Sequence, residues 1–258
     1  MRRLRAPRFL PGRRSRLIRM RARLEDGAAT TLHVAWYQRE AYFPRVVALD
    51  RPVQLAQWCR EQGLSHAVVG GFFARPQYAP LGQLQTGGEV RPSLAFDAPW
   101  SAVRACVHIT EGEMQIAWRD QLPADVEGDL LQAGPLLVLD GRPVVSEGED
   151  PEGFSAGARQ FDSDITKGRY PRAALAVAGD SLMAVACDGR TSRDSGMTLR
   201  ELADTLVGLG ATEALNLDGG GSASLVHHGR LCNRPRDENG TDLLGGRQIV
   251  TAVVFEPR

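Results

Sequence analysis

Lysine is nearly missing from this chain: Lys167 is the only one, although Lys and Arg together number 31. Such a skew is a compositional bias toward arginine, so the abundance of arginine does not by itself signal anion binding. Cysteine is sparse too. Cys59, Cys106, Cys187 and Cys232 stand far apart, with no Cys-x-x-Cys pair and no Cys/His cluster. That argues against a zinc site and for buried free thiols. No run approaches the ~18 apolar residues of a membrane-spanning helix. Acidic residues are absent from positions 1–24, which carry ten arginines. A secretory signal needs an unbroken apolar core of about 7–15 residues, and here arginines interrupt Leu17, Ile18 and Met20. We therefore expect residues 1–24 to form a basic, disordered tail, and the chain to be cytoplasmic.

What is present suits a globular protein. The 258 residues are 43% hydrophobic, enough for one sizeable core. We expect one domain over 25–258. The formal charge is zero overall, but 25–258 holds 21 basic and 31 acidic residues, about −10. An acidic body argues against nucleic acid as a partner.

Alternation marks "TLHVAWYQ" as a strand, and "FPRVVALD" suggests another. "DRPVQLAQWCREQG" predicts a helix capped by Asp50, with Pro52 in its first turn and Gly63 at its exit. "LSHAVVGGFF" is a short strand running into Gly70 and Gly71. Strand candidates continue through "SAVRACVHI", "EMQIAWR" and "GPLLVLDGRPVV", the last turning at Asp140-Gly141. Residues 146–169 are polar and glycine-rich, a long loop. "AALAVAGDSLMAVACDGR" predicts a hairpin turning at Gly179-Asp180. In "TLRELADTLVGLG", Thr198 and Glu201 form a capping box, and Leu199, Leu202, Ala203, Leu206 and Val207 share one helical face. "RQIVTAVVFEP" closes the chain as a strand. The fold class this gives is mixed α/β (α+β): a mixed sheet packed by helices, with glycine loops at strand ends. The order helix, glycine, strand, glycine loop occurs twice, in 55–73 and 202–222, which could bring two glycine loops to one sheet edge.

The most unusual stretch is "ALNLDGGGSAS". In a strand, Asn216 and Asp218 share one side and Leu215 and Leu217 the other. Gly219, Gly220, Gly221 and Ser222 then offer backbone amides that can cradle an anion and let a ligand come close. A simple tight turn capped by aspartate is the alternative; three successive glycines after two polar strand residues favour a sugar or phosphate site. Neither a phosphate-binding Gly-Lys-Ser/Thr end nor a Gly-x-Ser-x-Gly nucleophile turn is present. Asp188 and Arg190, at the end of an apolar strand in "CDGRTSRDSGMT", are further candidates. His227 and His228, in "LVHHGR", suggest exposed turn histidines more than a catalytic pair, and the four tryptophans suggest core.

In order along the chain, "GGFF", "YPRAALAV", "ACDGRTSRDSGMT", "NLDGGGSASLV" and "LCNRP" resemble the phosphodiester glycosidase family over roughly residues 30–257. The resemblance implies hydrolysis of the bond between a sugar anomeric carbon and a phosphodiester, with such a glycan-type substrate as partner. Carried over residue by residue, it implies Asp218, Asp188, Arg190 and Asn216 as catalytic residues. Gly70, Gly71, Phe72, Arg172, Gly219, Gly220, Gly221, Ser222, Asn233 and Arg234 would bind substrate. Val69 departs from the family's asparagine before the Gly-Gly pair, and Ala173 replaces a threonine. On this basis Asp218 is expected as base or nucleophile, Asp188 as second carboxylate, Arg190 and Arg172 as phosphate holders, and Asn216 as partner of a sugar hydroxyl. The sequence identifies no definite cofactor; as an alternative, Asp188 and Asp218 could share a divalent cation. A non-catalytic sugar- or phosphate-binding protein of the same fold is the alternative.

Overall fold

The computed structural model describes residues 14–146, 149–155 and 165–258. Residues 1–13 of the expected tail, and 147–148 and 156–164 of the expected long loop, lie outside the described residues.

The architecture is predominantly β. A seven-stranded sheet runs in the order Ser15–Arg23, Ala29–Gln38, Ser181–Cys187, Arg172–Ala178, Glu213–Asn216, Leu136–Leu139, Arg142–Pro143. A five-stranded sheet orders Arg230–Leu231, Leu225–His227, His66–Val69, Gln248–Pro257 and Tyr42–Gln54. A second five-stranded sheet is built from Glu113–Trp118, Ala105–Thr110, Asp129–Gln132, Leu84–Thr86 and Glu89–Val90. Pairing between these strands is antiparallel throughout. The expectation of a mixed sheet packed by helices is corrected accordingly. Among the described residues the α-helices are Leu55–Glu61, Trp100–Val103 and Leu199–Gly208, too few and too short to cover three sheets. Among the described residues no helix is long and apolar enough to cross a membrane.

Side-chain alternation divides the core. Along Arg172–Ala178, Ala173, Leu175 and Val177 enter the main core, while Ala174, Ala176 and Ala178 face the helix Leu199–Gly208. Ser181–Cys187 divides in the same way. Both faces are buried, so these strands read as continuous apolar runs. The alanines on the second face leave room for the helix, which contributes Leu199, Leu202, Ala203 and Leu206. Its start is fixed as the sequence predicts: the Thr198 hydroxyl accepts from the Glu201 amide at 3.1 Å, and Glu201 returns a bond to the Thr198 amide at 2.9 Å.

Two local expectations give way to tertiary context. The predicted helix over 50–63 begins only at Leu55, because residues 42–54 continue as one long strand beside Gln248–Pro257. Asp50 and Pro52 lie in that strand rather than at a cap. Residues 15–23 of the expected tail form an edge strand paired along its full length with 29–37. Ile18, Met20 and Ala22 pack on the core while Arg19, Arg21 and Arg23 point outward, and Arg21 pairs with Asp194. Outward charge is how exposed sheet edges avoid pairing with other chains.

Candidate active site

The two glycine loops meet, although their strands belong to different sheets. The Asp218 amide donates to the Gly70 carbonyl at 3.0 Å, and the Val69 amide to the Ser224 carbonyl at 3.0 Å. A third segment joins them: the Leu217 amide bonds Ala173 at 2.9 Å and the Gly220 amide bonds Pro171 at 2.8 Å. Glycine is required by this crowding. A Cβ on Gly70 would sit 2.8 Å from the Thr251 carbonyl carbon, and one on Gly219 would sit 2.8 Å from the Pro171 oxygen. Gly220 adopts φ +58°, which L side chains rarely tolerate.

Asp218 is half-buried at this junction, and its Oδ1 accepts from the Gly219 amide at 2.9 Å. Burial pushes its pKa up to about 6; the Ser222 hydroxyl, the Arg247 charge, the Gly219 amide and the Arg75 charge act in the opposite direction and only partly offset it. Two guanidinium groups flank the loop. A Cβ on Gly220 would lie 3.2 Å from Arg190 Nη2, and one on Gly221 would lie 3.4 Å from Arg247 Nη2. Arg190 is held by a bond from Nη1 to the Arg236 carbonyl at 2.8 Å, and lies 5.9 Å from the Tyr170 ring centroid. Burial lowers its pKa, Glu238 acts the other way, and the like charge of Arg247 adds to the lowering. Arg247 donates to Glu238 at 3.0 Å. A loop that carries a carboxylate and is flanked by two partly buried cations is suited to a substrate that is itself an anion.

The remaining predicted residues surround this centre in supporting positions. Asp188 is buried with both carboxylate oxygens engaged: Oδ1 accepts from the Arg234 amide at 2.7 Å and Oδ2 lies 3.2 Å from His33 Nε2. It anchors the Asn233-Arg234 segment and shares no partner with Asp218 among the described contacts. Arg172, expected at the phosphate, is buried and donates to the carbonyls of Met197, Ile165 and Gly168 at 3.1, 3.0 and 3.4 Å. Asn216 donates through Nδ2 to Gly134 at 2.9 Å and to Leu217 at 3.0 Å, and its Oδ1 is buried without a partner. Asn233 braces the glycine-loop exit, accepting from the Leu225 amide at 3.0 Å and donating to Ala223 at 2.7 Å. Arg234 is exposed. Phe72 packs against Phe154 with ring centroids 5.7 Å apart, and Gly71 abuts Leu131. The loop amides are not the free cradle expected of them: those of Gly219, Gly220 and Ser222 bond Asp218, Pro171 and Gly219 respectively.

Arg247, Tyr170 and Arg75 escaped the sequence reading. Arg247 follows Gly245-Gly246 and Tyr170 precedes Pro171-Arg172; a glycine pair and a proline beside them were the available signals. Among the described residues, Asp188 and Asp218 belong to no group of three His, Cys, Asp or Glu side chains that could hold a metal ion.

The chain belongs to the phosphodiester glycosidase family, whose family model matches residues 62–256. It is 26% identical over 230 residues to the N-acetylglucosamine-1-phosphodiester alpha-N-acetylglucosaminidase of Bos taurus, covering 83% of this chain and 41% of that protein. An uncharacterized prophage-derived protein of Bacillus subtilis is 26% identical over 146 residues, 54% of this chain and 21% of the relative. The chain thus spans less than half the length of these curated relatives. Its fold is that of the zebrafish enzyme's catalytic domain, solved auto-inhibited by its pro-peptide: TM-score 0.72, 19% identity, 95% of this chain and 83% of that one. A hypothetical protein from Synechocystis aligns with TM-score 0.66 and 18% identity, over 95% of this chain and 62% of that one.

Proposed function

We infer that this chain hydrolyses the bond between a sugar anomeric carbon and a phosphodiester, with an N-acetylhexosamine-1-phosphodiester or a close relative as substrate. One observation carries this reading beyond family membership: Asp218, a carboxylate with a pKa near 6, stands at the start of a glycine loop that Arg190 flanks at Gly220 and Arg247 at Gly221.

The chemistry follows from the substrate. The bond from C1 to the phosphate oxygen breaks, water supplies the new oxygen at C1, and a phosphomonoester leaves. Phosphate is a weakly basic leaving group, so little protonation is required of the protein. Its negative charge needs stabilisation, and Arg190 and Arg247 are placed to supply it. Asp218, ionised above pH ~6, serves as base or nucleophile at the oxocarbenium-like centre. Asp188, Arg172, Asn216 and Asn233 we assign to positioning, because their polar atoms are engaged with the backbone or buried around the loop. Arg234, exposed beside Asp188, remains available to the leaving group.

A binding protein without catalysis is the competing reading. Val69, where the family has asparagine, is fully buried in the apolar core and offers no polar group. Sugar release from a panel of hexose and N-acetylhexosamine 1-phosphodiesters, measured beside Asp218→Asn, separates the two. Release that the variant loses supports hydrolysis. Binding of sugar phosphates by folded wild-type protein without any release supports the alternative.

A further inference from the structure

The strands His66–Val69 and Leu225–His227 carry glycine loops at one end and three histidines at the other. His66 and His227 are direct partners in the antiparallel register. His228 follows in a two-residue turn with Gly229, both at positive φ, 49° and 72°. The turn is fixed by the Gly229 amide, which donates to Ser65 at 2.9 Å. This geometry folds the His228 ring back over the other two. Ring centroids are 4.7 Å apart for His66–His227, 4.8 Å for His66–His228 and 4.3 Å for His227–His228. One ligating nitrogen from each lies within 4.8 Å of the other two.

The expectation of exposed turn histidines therefore fails for His227, which is 7% exposed, as His66 is 3%. His66 Nδ1 and His227 Nε2 are buried with no hydrogen-bond partner. Buried polar atoms are almost always paired, and two orphans in one three-histidine group call for a ligand that accepts lone pairs. Burial holds both rings neutral at physiological pH, the form in which imidazole ligates.

We propose that His66, His227 and His228 bind one divalent transition-metal ion, Zn²⁺ by preference, clipping the two strands together at the end away from Asp218. Three imidazoles with no carboxylate in the group suit zinc, copper or nickel and not the oxygen-seeking Ca²⁺ or Mg²⁺. Tetrahedral zinc with bonds of about 2.0–2.1 Å needs nitrogens roughly 3.3 Å apart. The exposed His228 ring can close that gap by side-chain rotation, leaving the fourth position to solvent. The site lies about four residues, roughly 13 Å, along the strand His66–Val69 from Gly70. Cysteine and histidine spacing along the chain does not reveal it, because His66 and His227 meet only through strand pairing.

The test uses tag-free full chain, stripped with chelator and titrated with Zn²⁺ against a chromophoric competitor. Melting is followed with Zn²⁺, Mg²⁺ and Ca²⁺ in parallel. We expect one Zn²⁺ per chain and a Tm gain that Mg²⁺ and Ca²⁺ do not give. Co²⁺ in place of Zn²⁺ should show the intense visible bands of a four-coordinate site. In His228→Asn, which tolerates the turn's positive φ, zinc affinity should fall at least about tenfold while the metal-free Tm is kept. Absence of stoichiometric zinc uptake overturns the proposal, as does uptake equally tight in His228→Asn or an equal Tm gain from Ca²⁺.

Discussion

The amide of Asp218 donates to the carbonyl of Gly70 at 3.0 Å. These residues lie far apart in sequence and extend from strands of two different sheets, yet this bond fixes the height at which the Asp218 carboxylate stands above the glycine loop. The loop's position therefore depends on a sheet to which Asp218 does not belong.

Gly70→Ala tests that dependence. The added methyl would lie 2.8 Å from the Thr251 carbonyl carbon and 2.9 Å from its Cβ, so one backbone must move. Overpacking of this kind costs about 1–3 kcal/mol, a Tm drop of roughly 2–4 °C for each kcal/mol in a domain of this size. Hydrolysis should fall as well. A melt and a rate matching wild type would show that the two loops are not rigidly coupled.

Asp218→Asn should lower hydrolysis by about 10²–10⁴-fold. In the wild type, kcat/KM should rise with pH through about 6 as the carboxylate ionises. Stability should respond in the opposite sense. A folded pKa raised above its ordinary 3.8 contributes stability that is fully present below that value and is lost as pH rises through about 6. The Asn variant should therefore melt above wild type at pH 8, and the advantage should shrink toward pH 4. Parallel melting curves across that range would remove the buried carboxylate from the account.

Arg247→Gln should raise KM by about 10–100-fold, the worth of one hydrogen bond to a charged group at roughly 1.5–3 kcal/mol. Arg190→Gln should do the same and also loosen the 236 segment, since Arg190 donates to the Arg236 carbonyl. Steady-state kinetics with an uncharged glycoside as control decides the matter: an equal loss on both substrates argues against phosphate contact.

Thr198→Ala removes the hydroxyl that caps the helix Leu199–Gly208. A lost cap of this kind costs about 1 kcal/mol, a drop of roughly 2–4 °C in Tm. Catalytic rates at temperatures well below melting should be unchanged. A large kinetic effect would mean that the helix does more than cover the seven-stranded sheet.

Elements written in short-range chemistry were legible in advance. The capping box at Thr198 and Glu201, the turns at Asp140-Gly141 and Gly179-Asp180, and the strands that end at Val69 and Asn216 all follow from residues within a few positions of one another. The arginine-rich segment 15–23 reads as a tail because its charges hide a period of two; Ile18, Met20 and Ala22 alternate with arginines as an edge strand requires. Asp50 and Pro52 suggested a helix start, but pairing with Gln248–Pro257 kept that backbone extended. Local propensity lost there to a ladder of hydrogen bonds from the far end of the chain.

The sequence by itself determined which residues could do chemistry: an aspartate at a glycine run, a second aspartate at a strand end, several arginines and a pair of histidines. Tertiary structure decided which of them do what. Asp188 and Asp218 look alike in sequence, but one is buried with both oxygens engaged and the other stands half-buried at a loop flanked by two guanidinium groups. Arg172 and Arg190 look alike as well, until packing directs the first to backbone carbonyls and the second to the loop. Desolvation and hydrogen-bond occupancy depend on everything within a few ångströms in space, and in a chain folded mainly into three large antiparallel sheets most of those neighbours are distant in sequence.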